Sequence, residues 1–306
     1  MLKLHHLRDF VAIAQAQSVR GAARSLGLAQ PALTRSLREL EQHLGVQLLQ
    51  RHARGVVLTA EGERYLVRAR SAMEEMRRGK EEAQQLGGDM QGTVAAALSS
   101  AAMLALLPPA YTAFRRECPQ VRLRLLEGAF PSLETRLRDG SVDFYIGPRP
   151  ERFDRQTFQI EPCFANQRQI VVRKGHPLSQ ATSLRELVDA DWLLTGFRER
   201  FEQELEEQFE AHGLPTPRML TRVDSMLGML SLLTATDAVA LLPRQCADSP
   251  MFKPLIQPVP VREALAAPDI VLITRAGLPL TPAAERFATL LRHAVAPRGG
   301  LSALTA

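Results

Sequence analysis

The 306 residues predict two unlike parts, a mainly α winged helix-turn-helix followed by an α/β region. Three observations carry this expectation. Leu33, Leu37, Leu40 and Leu44 recur at helical spacing behind Pro31, and Gln30, Thr34 and Arg38 form a polar row on another face. The basic excess of the chain is confined to its first sixty residues. From Gly92 onward, short apolar strand patterns alternate with helical ones.

The elements follow in order. Leu7, Phe10, Val11 and Ala14 mark a first helical stripe. Ser18 offers an N-cap to a short helix, VRGAARSL, which Gly27 ends. Pro31 suits the first turn of the next helix, where its missing N–H costs nothing, and Gly45 suits a left-handed C-terminal cap. Two short helices so joined form a helix-turn-helix. The second begins with an amide, a hydroxyl and two guanidiniums, groups able to read base edges and hold phosphates. Standing alone, it reads better as an ordinary amphipathic helix. QLLQRHARGVVLT then sets two apolar runs around RHARG, as in a β-hairpin with Arg54 near a basic tip. The candidate DNA-contacting residues are Ser18, Gln30, Pro31, Ala32, Thr34, Arg35, Arg38 and Arg54.

Charge supports this assignment. Residues 1–60 hold eight Lys/Arg and three Asp/Glu, which accounts for the whole net charge of +5; thirty of each remain for the rest. A basic excess on one small domain is the electrostatic footprint of a nucleic-acid binder. A lipid-binding face fits less well, because no Trp or Phe is interleaved with these charges. Three widely spaced cysteines, Cys118, Cys163 and Cys246, predict reduced thiols and no metal site. MLKLHHLRDF lacks the uninterrupted apolar core of a signal peptide, so a cytoplasmic location is expected. Gln91 to Phe114 carries no charge, but Gly92, Ser99, Ser100 and the pair Pro108–Pro109 interrupt it. A buried strand and a helix are expected there, and no membrane span.

The stretch SVRGAARSLGLAQPALTRSLRELEQHLGVQLLQRHARGVVLTAEGE resembles the N-terminal signature of LysR-type transcriptional regulators, without a gap over about the first 65 residues. Two positions depart from it: Ala29 stands where the family places a Ser N-cap, and Leu49 where it places Phe. The missing cap costs roughly 1 kcal/mol. The resemblance implies a winged helix-turn-helix over 1–58 and a linker helix over 59–88 that joins two copies. Thr59 supplies that helix with an N-cap, and Leu66, Ala69, Met73, Met76 and Ala83 give it a heptad-like stripe interrupted by Lys80. Packing against its own chain is the alternative use of the stripe. The implied partners are double-stranded DNA, a small-molecule effector, a second copy as dimer or dimer of dimers, and RNA polymerase.

In the α/β part, GTVAAALS, VRLRLLEG, VDFYIG, QIVVR, DWLLTG and DIVLIT read as strands. LLPPAYTAFRREC, SLETRLRDG, RERFEQELEEQFEAHG and MLGMLSLLTA read as helices, and the tail PRGGLSALTA as disordered. The resemblance implies an effector domain like the type 2 periplasmic binding proteins: subdomain I at 92–162 and 267–306, subdomain II at 163–266, linked by two crossing strands. Ligands of such sheets bind beyond the carboxyl ends of strands. The candidates there are Ser99, Ser100 and Ala101; Gly128, Ala129 and Phe130; Phe197 and Arg198; and Asp224 and Ser225. Free N–H groups at a helix start favour an organic anion, to which Arg198 adds a charge and Phe130 and Phe197 aromatic faces. The plainer readings are caps for the serines, solvation for Arg198 and core for the phenylalanines.

No nucleophile elbow, Walker loop or H-E-x-x-H occurs, so neither catalysis nor a cofactor is expected. The acids of ERFEQELEEQFE read as a solvated helix face. A ligand-responsive regulator, an architectural DNA-binding protein and a solute-binding protein or enzyme remain as classes. The motifs LLEGAFPSL, TRLRDG and LPLTPAAERF loosely resemble the subgroup of the toluenesulfonate-pathway regulator.

Overall fold

The structure, a computed structural model, describes residues 2–52, 55–195 and 201–294. Arg54, Phe197, Arg198 and the tail PRGGLSALTA lie outside the described residues. The chain divides into two compact units: residues 1–89 with 135–142, and 90–134 with 143–306.

In the first unit the local signals of the sequence act as expected. Helix α1 spans Leu4–Ala16, α2 Val19–Leu26 and α3 Gln30–Leu44. The Ser18 hydroxyl accepts the Gly21 N–H at 3.1 Å to start α2. Gly27 and Gly45 end α2 and α3 with φ of 67° and 70°, the left-handed region that costs glycine least. Ala29 precedes α3 with no side-chain cap, as its methyl requires. Strands β1 (Leu49–His52) and β2 (Gly55–Leu58) pair antiparallel as the wing. Helix α4 then runs over Ala60–Leu86 from a Thr59 cap.

Phe10, Ile13, Leu33, Leu40 and Leu48 form the centre of the core in this unit. Leu66 and Ala69 of α4 are buried in the same cluster, and Met73 packs against it. The heptad-like stripe is therefore not a single seam. Its first half covers the helix-turn-helix of its own chain, while Met76 stays 56% exposed and Ala83 and Lys80 are exposed. Arg78, buried on α4, donates to the carbonyls of Gly140 and Val142 at 2.7 and 3.3 Å.

The second unit holds two five-stranded sheets. The first has the order β4-β3-β5-β12-β6, from Arg122–Glu127, Thr93–Leu98, Phe144–Pro148, Ile270–Arg275 and Phe158–Phe164. Strands β3, β4 and β5 are parallel, and β12 runs antiparallel to β5 and β6. The second has the order β11-β7-β10-β8-β9, from Ile256–Pro258, Arg168–Arg173, Val239–Pro243, Trp192–Thr195 and Met219–Val223. After β6 the chain passes into the second sheet, and β12 brings it back.

Helix α5 (Ser100–Glu117) packs against β3 and against α10 (Pro282–His293), with Phe114 and Phe287 rings 4.9 Å apart. Helices α6 (Phe130–Arg138), α7 (Phe201–Glu210), α8 (Met226–Ala235) and α9 (Arg244–Asp248) complete the layers. The uncharged stretch 91–114 becomes β3 and most of α5, and no helix among the described residues is long and apolar enough to cross a membrane. One expectation fails on α7. Glu204 is not a solvated acid: it accepts from the Arg168 guanidinium at 2.7 Å, and the two side chains are 15% and 5% exposed. A buried Arg at the start of β7 needs that partner.

Candidate nucleic-acid and effector sites

Pro31 fits the first turn of α3, and the buried Leu33, Leu37 and Leu40 lock the helix to the core. Gln30, Pro31, Ala32, Arg35 and Arg38 are exposed, and Thr34 is half-buried. Together Gln30, Pro31, Thr34, Arg35 and Arg38 line one surface hollow. Thr34 and Arg38 also line a second one between α3 and the wing, with Gln47, Gln50 and His52. None of Gln30, Thr34, Arg35 and Arg38 has a hydrogen-bond or ion-pair partner among the described residues. Ser18 differs, since its hydroxyl is committed to capping α2.

Two carboxylates hold this face in place from behind. Glu41 accepts the N–H groups of Leu48 and Leu49 at 2.8 and 3.3 Å, fixing the wing to α3. Glu39 meets the fully buried His6 of α1 at 3.2 Å. Sequence reasoning missed Gln50 and His52. Their only signal is that they share one face of a hairpin strand at period two.

In the second unit the ends of β3, β4 and β5 meet. Ser99 caps α5, accepting from Ala102 N–H at 3.3 Å, and its own N–H donates to the carbonyl of Ile146 in β5. Gly128 N–H donates to Leu98 at the end of β3. The first-turn N–H groups of Ser100 and Ala101 have no intrahelical acceptor, as in every helix. Beside them, Ser100 donates to the Glu127 carboxylate at 2.6 Å, so that hydroxyl is already committed. Phe130 is a corrected expectation: it is 3% exposed between Tyr145 and Phe158, with rings 6.0 and 5.4 Å away, and offers no open face.

Tyr145 and Gly147 were also missed. A Cβ on Gly147 would lie 2.0 Å from the Tyr145 hydroxyl and 3.0 Å from the Ser99 Cβ. Glycine is thus required where the tyrosine turns back toward Ser99. The signal was a tyrosine inside the apolar strand VDFYIG, two residues before a glycine on the same strand face.

In the second sheet, Ser225 caps α8 through Gly228 N–H at 3.4 Å. Asp224 is exposed and sits 4.0 Å from Arg222. Helix α9, which follows β10, packs on α5, with Leu104 of α5 entering the cluster of Cys246 and Ala247. Burial pushes the Cys246 thiol up to about 12, and the nearby Glu127 carboxylate adds to the rise.

Comparison with known proteins accords with this geometry. Residues 4–63 match the bacterial regulatory helix-turn-helix protein, lysR family, and residues 87–296 match the LysR substrate binding domain. The HTH-type transcriptional regulator GbpR of Azospirillum brasilense is 30% identical over 298 residues, covering 96% of this chain and 86% of that one. The regulator TdcA of Escherichia coli strain K12 is 26% identical, covering 86% and 84%. In fold, the chain is similar to CbnR, a LysR family transcriptional regulator, with a TM-score of 0.71 and 24% identity over 96% of this chain and 99% of that one. A full-length OxyR variant from Pseudomonas aeruginosa gives a TM-score of 0.72 at 24% identity, covering 95% of each chain. With both of its parts matched in order, a helix-turn-helix and a substrate-binding domain, the chain belongs to the LysR family of DNA-binding transcriptional regulators.

Proposed function

We propose that this regulator reads its operator through Gln30, Thr34, Arg35 and Arg38 in the major groove, with the wing and Arg54 on the flanking backbone or minor groove. The observation that carries this is the unpartnered polar face of α3, built on a well-packed core. Gln30 suits bidentate contact with adenine, and Arg35 or Arg38 with guanine or phosphate. Pro31 and Ala32 allow the helix start to approach the bases closely, and Ser18 acts as the cap of α2. A salt titration of operator binding by fluorescence anisotropy tests the assignment. Arg38→Ala lowers the slope of log K against log salt by about 0.9 if it neutralises one phosphate. An unchanged slope and unchanged affinity remove Arg38 from the interface.

The chain acts in the cytoplasm without catalysing a reaction, as a dimer or dimer of dimers that contacts RNA polymerase. The exposed half of the α4 stripe, around Met76 and Ala83, is the surface offered to the second copy. The domain limits are 1–58, 59–88, 92–162 with 267–306, and 163–266. The effector is a small organic anion held where β3, β4 and β5 end, at Ser99, Ser100, Ala101, Gly128 and Ala129. Phe130 backs this wall, and Phe197, Arg198, Asp224 and Ser225 belong to the opposite one. The subgroup of the toluenesulfonate-pathway regulator gains no support from the relatives named above, and the broader class of organic anions is retained. Binding must favour one state of the protein to alter DNA affinity, because equal affinity for both shifts nothing. Calorimetry on wild type and Ser99→Ala distinguishes this site from any other.

A further inference from the structure

The polar face of α3 continues into the wing. Thr34 and Arg38 line both surface hollows, the one at the start of α3 and the one between α3 and the wing. Gln47, Gln50 and His52 form the other wall of the second hollow. Gln50 and His52 lie on β1 in register with Val57 and Gly55 of β2, and both are exposed. The side chains of Thr34, Arg38, Gln47, Gln50 and His52 have no hydrogen-bond or ion-pair partner among the described residues.

Distance along α3 separates the tasks of its two ends. Each helical residue advances the axis by about 1.5 Å, so Arg38 lies about 12 Å beyond Gln30, as far as the major groove is wide. A recognition helix reads bases with its N-terminal residues. Arg38, two turns further on, is left for the backbone that borders the groove, and the hollow beside it is walled by the wing. The chemistry of the hollow agrees. A phosphodiester oxygen only accepts hydrogen bonds, while a guanidinium, an amide NH₂, a hydroxyl and an imidazole N–H all donate. The hollow also holds one acid, Glu41. Its carboxylate accepts the N–H groups of Leu48 and Leu49, so two amide dipoles meet its charge. That places an anion at the rim, on the exposed Arg38, Gln50 and His52.

We propose that β1 is a DNA-binding strand: Gln50 and His52, together with Arg38, hold one backbone phosphate beside the groove that α3 reads. This rests on the reading of α3 proposed above, and it assigns Arg38 to a phosphate in place of a base.

The probes are a duplex selected by the full-length wild-type protein from a randomised pool, its single base-pair variants, and a shuffled duplex of equal length. Binding is followed by fluorescence anisotropy. Gln50→Ala, His52→Ala and Arg38→Ala each weaken binding of all the duplexes by a similar factor, on the order of tenfold for a bond to a charged group. Preference among base pairs and melting temperature stay as in wild type. The slope of log K against log salt falls by about 0.9 in Arg38→Ala and is kept in Gln50→Ala, which removes no charge. Gln30→Ala does the opposite, weakening the selected duplex and sparing the shuffled one. If Arg38→Ala relaxes the preference at one base pair and spares the shuffled duplex, Arg38 reads a base; the phosphate grip is overturned and α3 remains the reader. Unchanged binding of every duplex in Gln50→Ala and His52→Ala removes β1 from the interface and overturns the proposal. A melting temperature that falls in step with affinity makes these residues structural and overturns it as well. If Gln30→Ala also leaves every duplex unchanged, the reading of α3 itself falls.

Discussion

The arginines of the helix-turn-helix and those of the effector region are used in opposite ways. Arg20, Arg24, Arg35 and Arg38 are exposed and meet no carboxylate among the described residues. Beyond residue 160, Arg168 is paired with Glu204, Arg173 with Asp237, Arg244 with Asp248, Arg286 with Glu117, and Arg292 with Glu161 and Glu285. In the first region Arg8 on α1 pairs with Asp9 at 2.8 Å, but the four arginines of α2 and α3 are given no such partner, unlike the five of the second region. Arginines left unpaired on the exposed face of α3 are available to an anion from outside, which is the use proposed for them above.

The contrast can be broken at three strengths. The strongest test is Arg168→Met. It leaves Glu204 without its guanidinium in a site where both side chains are largely buried. Breaking a buried pair costs about 3–5 kcal/mol. Urea unfolding should show that loss, and the double variant Arg168→Met with Glu204→Leu should recover most of it. Equal stability of wild type and the single variant would show that the pair is not structural. Next comes Gln30→Ala, which should cost on the order of 1–3 kcal/mol at the specific operator and relax its base preference, with no change in melting temperature. A drop in stability equal to the loss of binding would mean that Gln30 serves the fold.

The smallest effect is expected at the surface pairs. Arg173→Ala should change unfolding free energy by less than about 1 kcal/mol, because Asp237 is 61% exposed. At Glu117, the hydrogen bond from Arg286 holds the carboxyl below its ordinary value. A depressed folded pKa stabilises above the unfolded value and is lost as pH falls through the folded one. Arg286→Ala should therefore leave stability near neutrality in place of wild type's only slightly altered, and flatten the acid side of the profile. An identical acid limb in the two proteins would dismiss the pair as a contributor.

How legible each part was in the sequence follows from the range of the forces that shape it. Ser18, Gly27, Pro31, Gly45 and Thr59 act on their own turns, and each does in the structure what local chemistry requires. Strands β6, β10 and β11 were not read. β6 carries Glu161 and Pro162 within FQIEPCF, and β10 continues an apolar run from α8 whose period does not separate helix from strand. The α4 stripe was read as one seam because spacing says which residues share a face and nothing about what covers it. In the effector region Ser99 and Gly128 were legible as strand ends. The bond from Ser100 to Glu127 was not, since it joins residues that only the fold brings together.

The close approach of α4 to the wing has a practical consequence. A Cβ at Gly62 would sit 2.0 Å from the Leu48 carbonyl oxygen, so helix and hairpin touch backbone to backbone just past residue 58. With Leu66, Ala69 and Met73 in the same core, the natural joint for a chimera lies well beyond the wing. A graft of residues 1–58 onto a foreign linker would leave Leu33 and Phe10 facing an ill-fitting helix. One that carries residues 1–78 transplants the operator reader together with the spine on which it is folded.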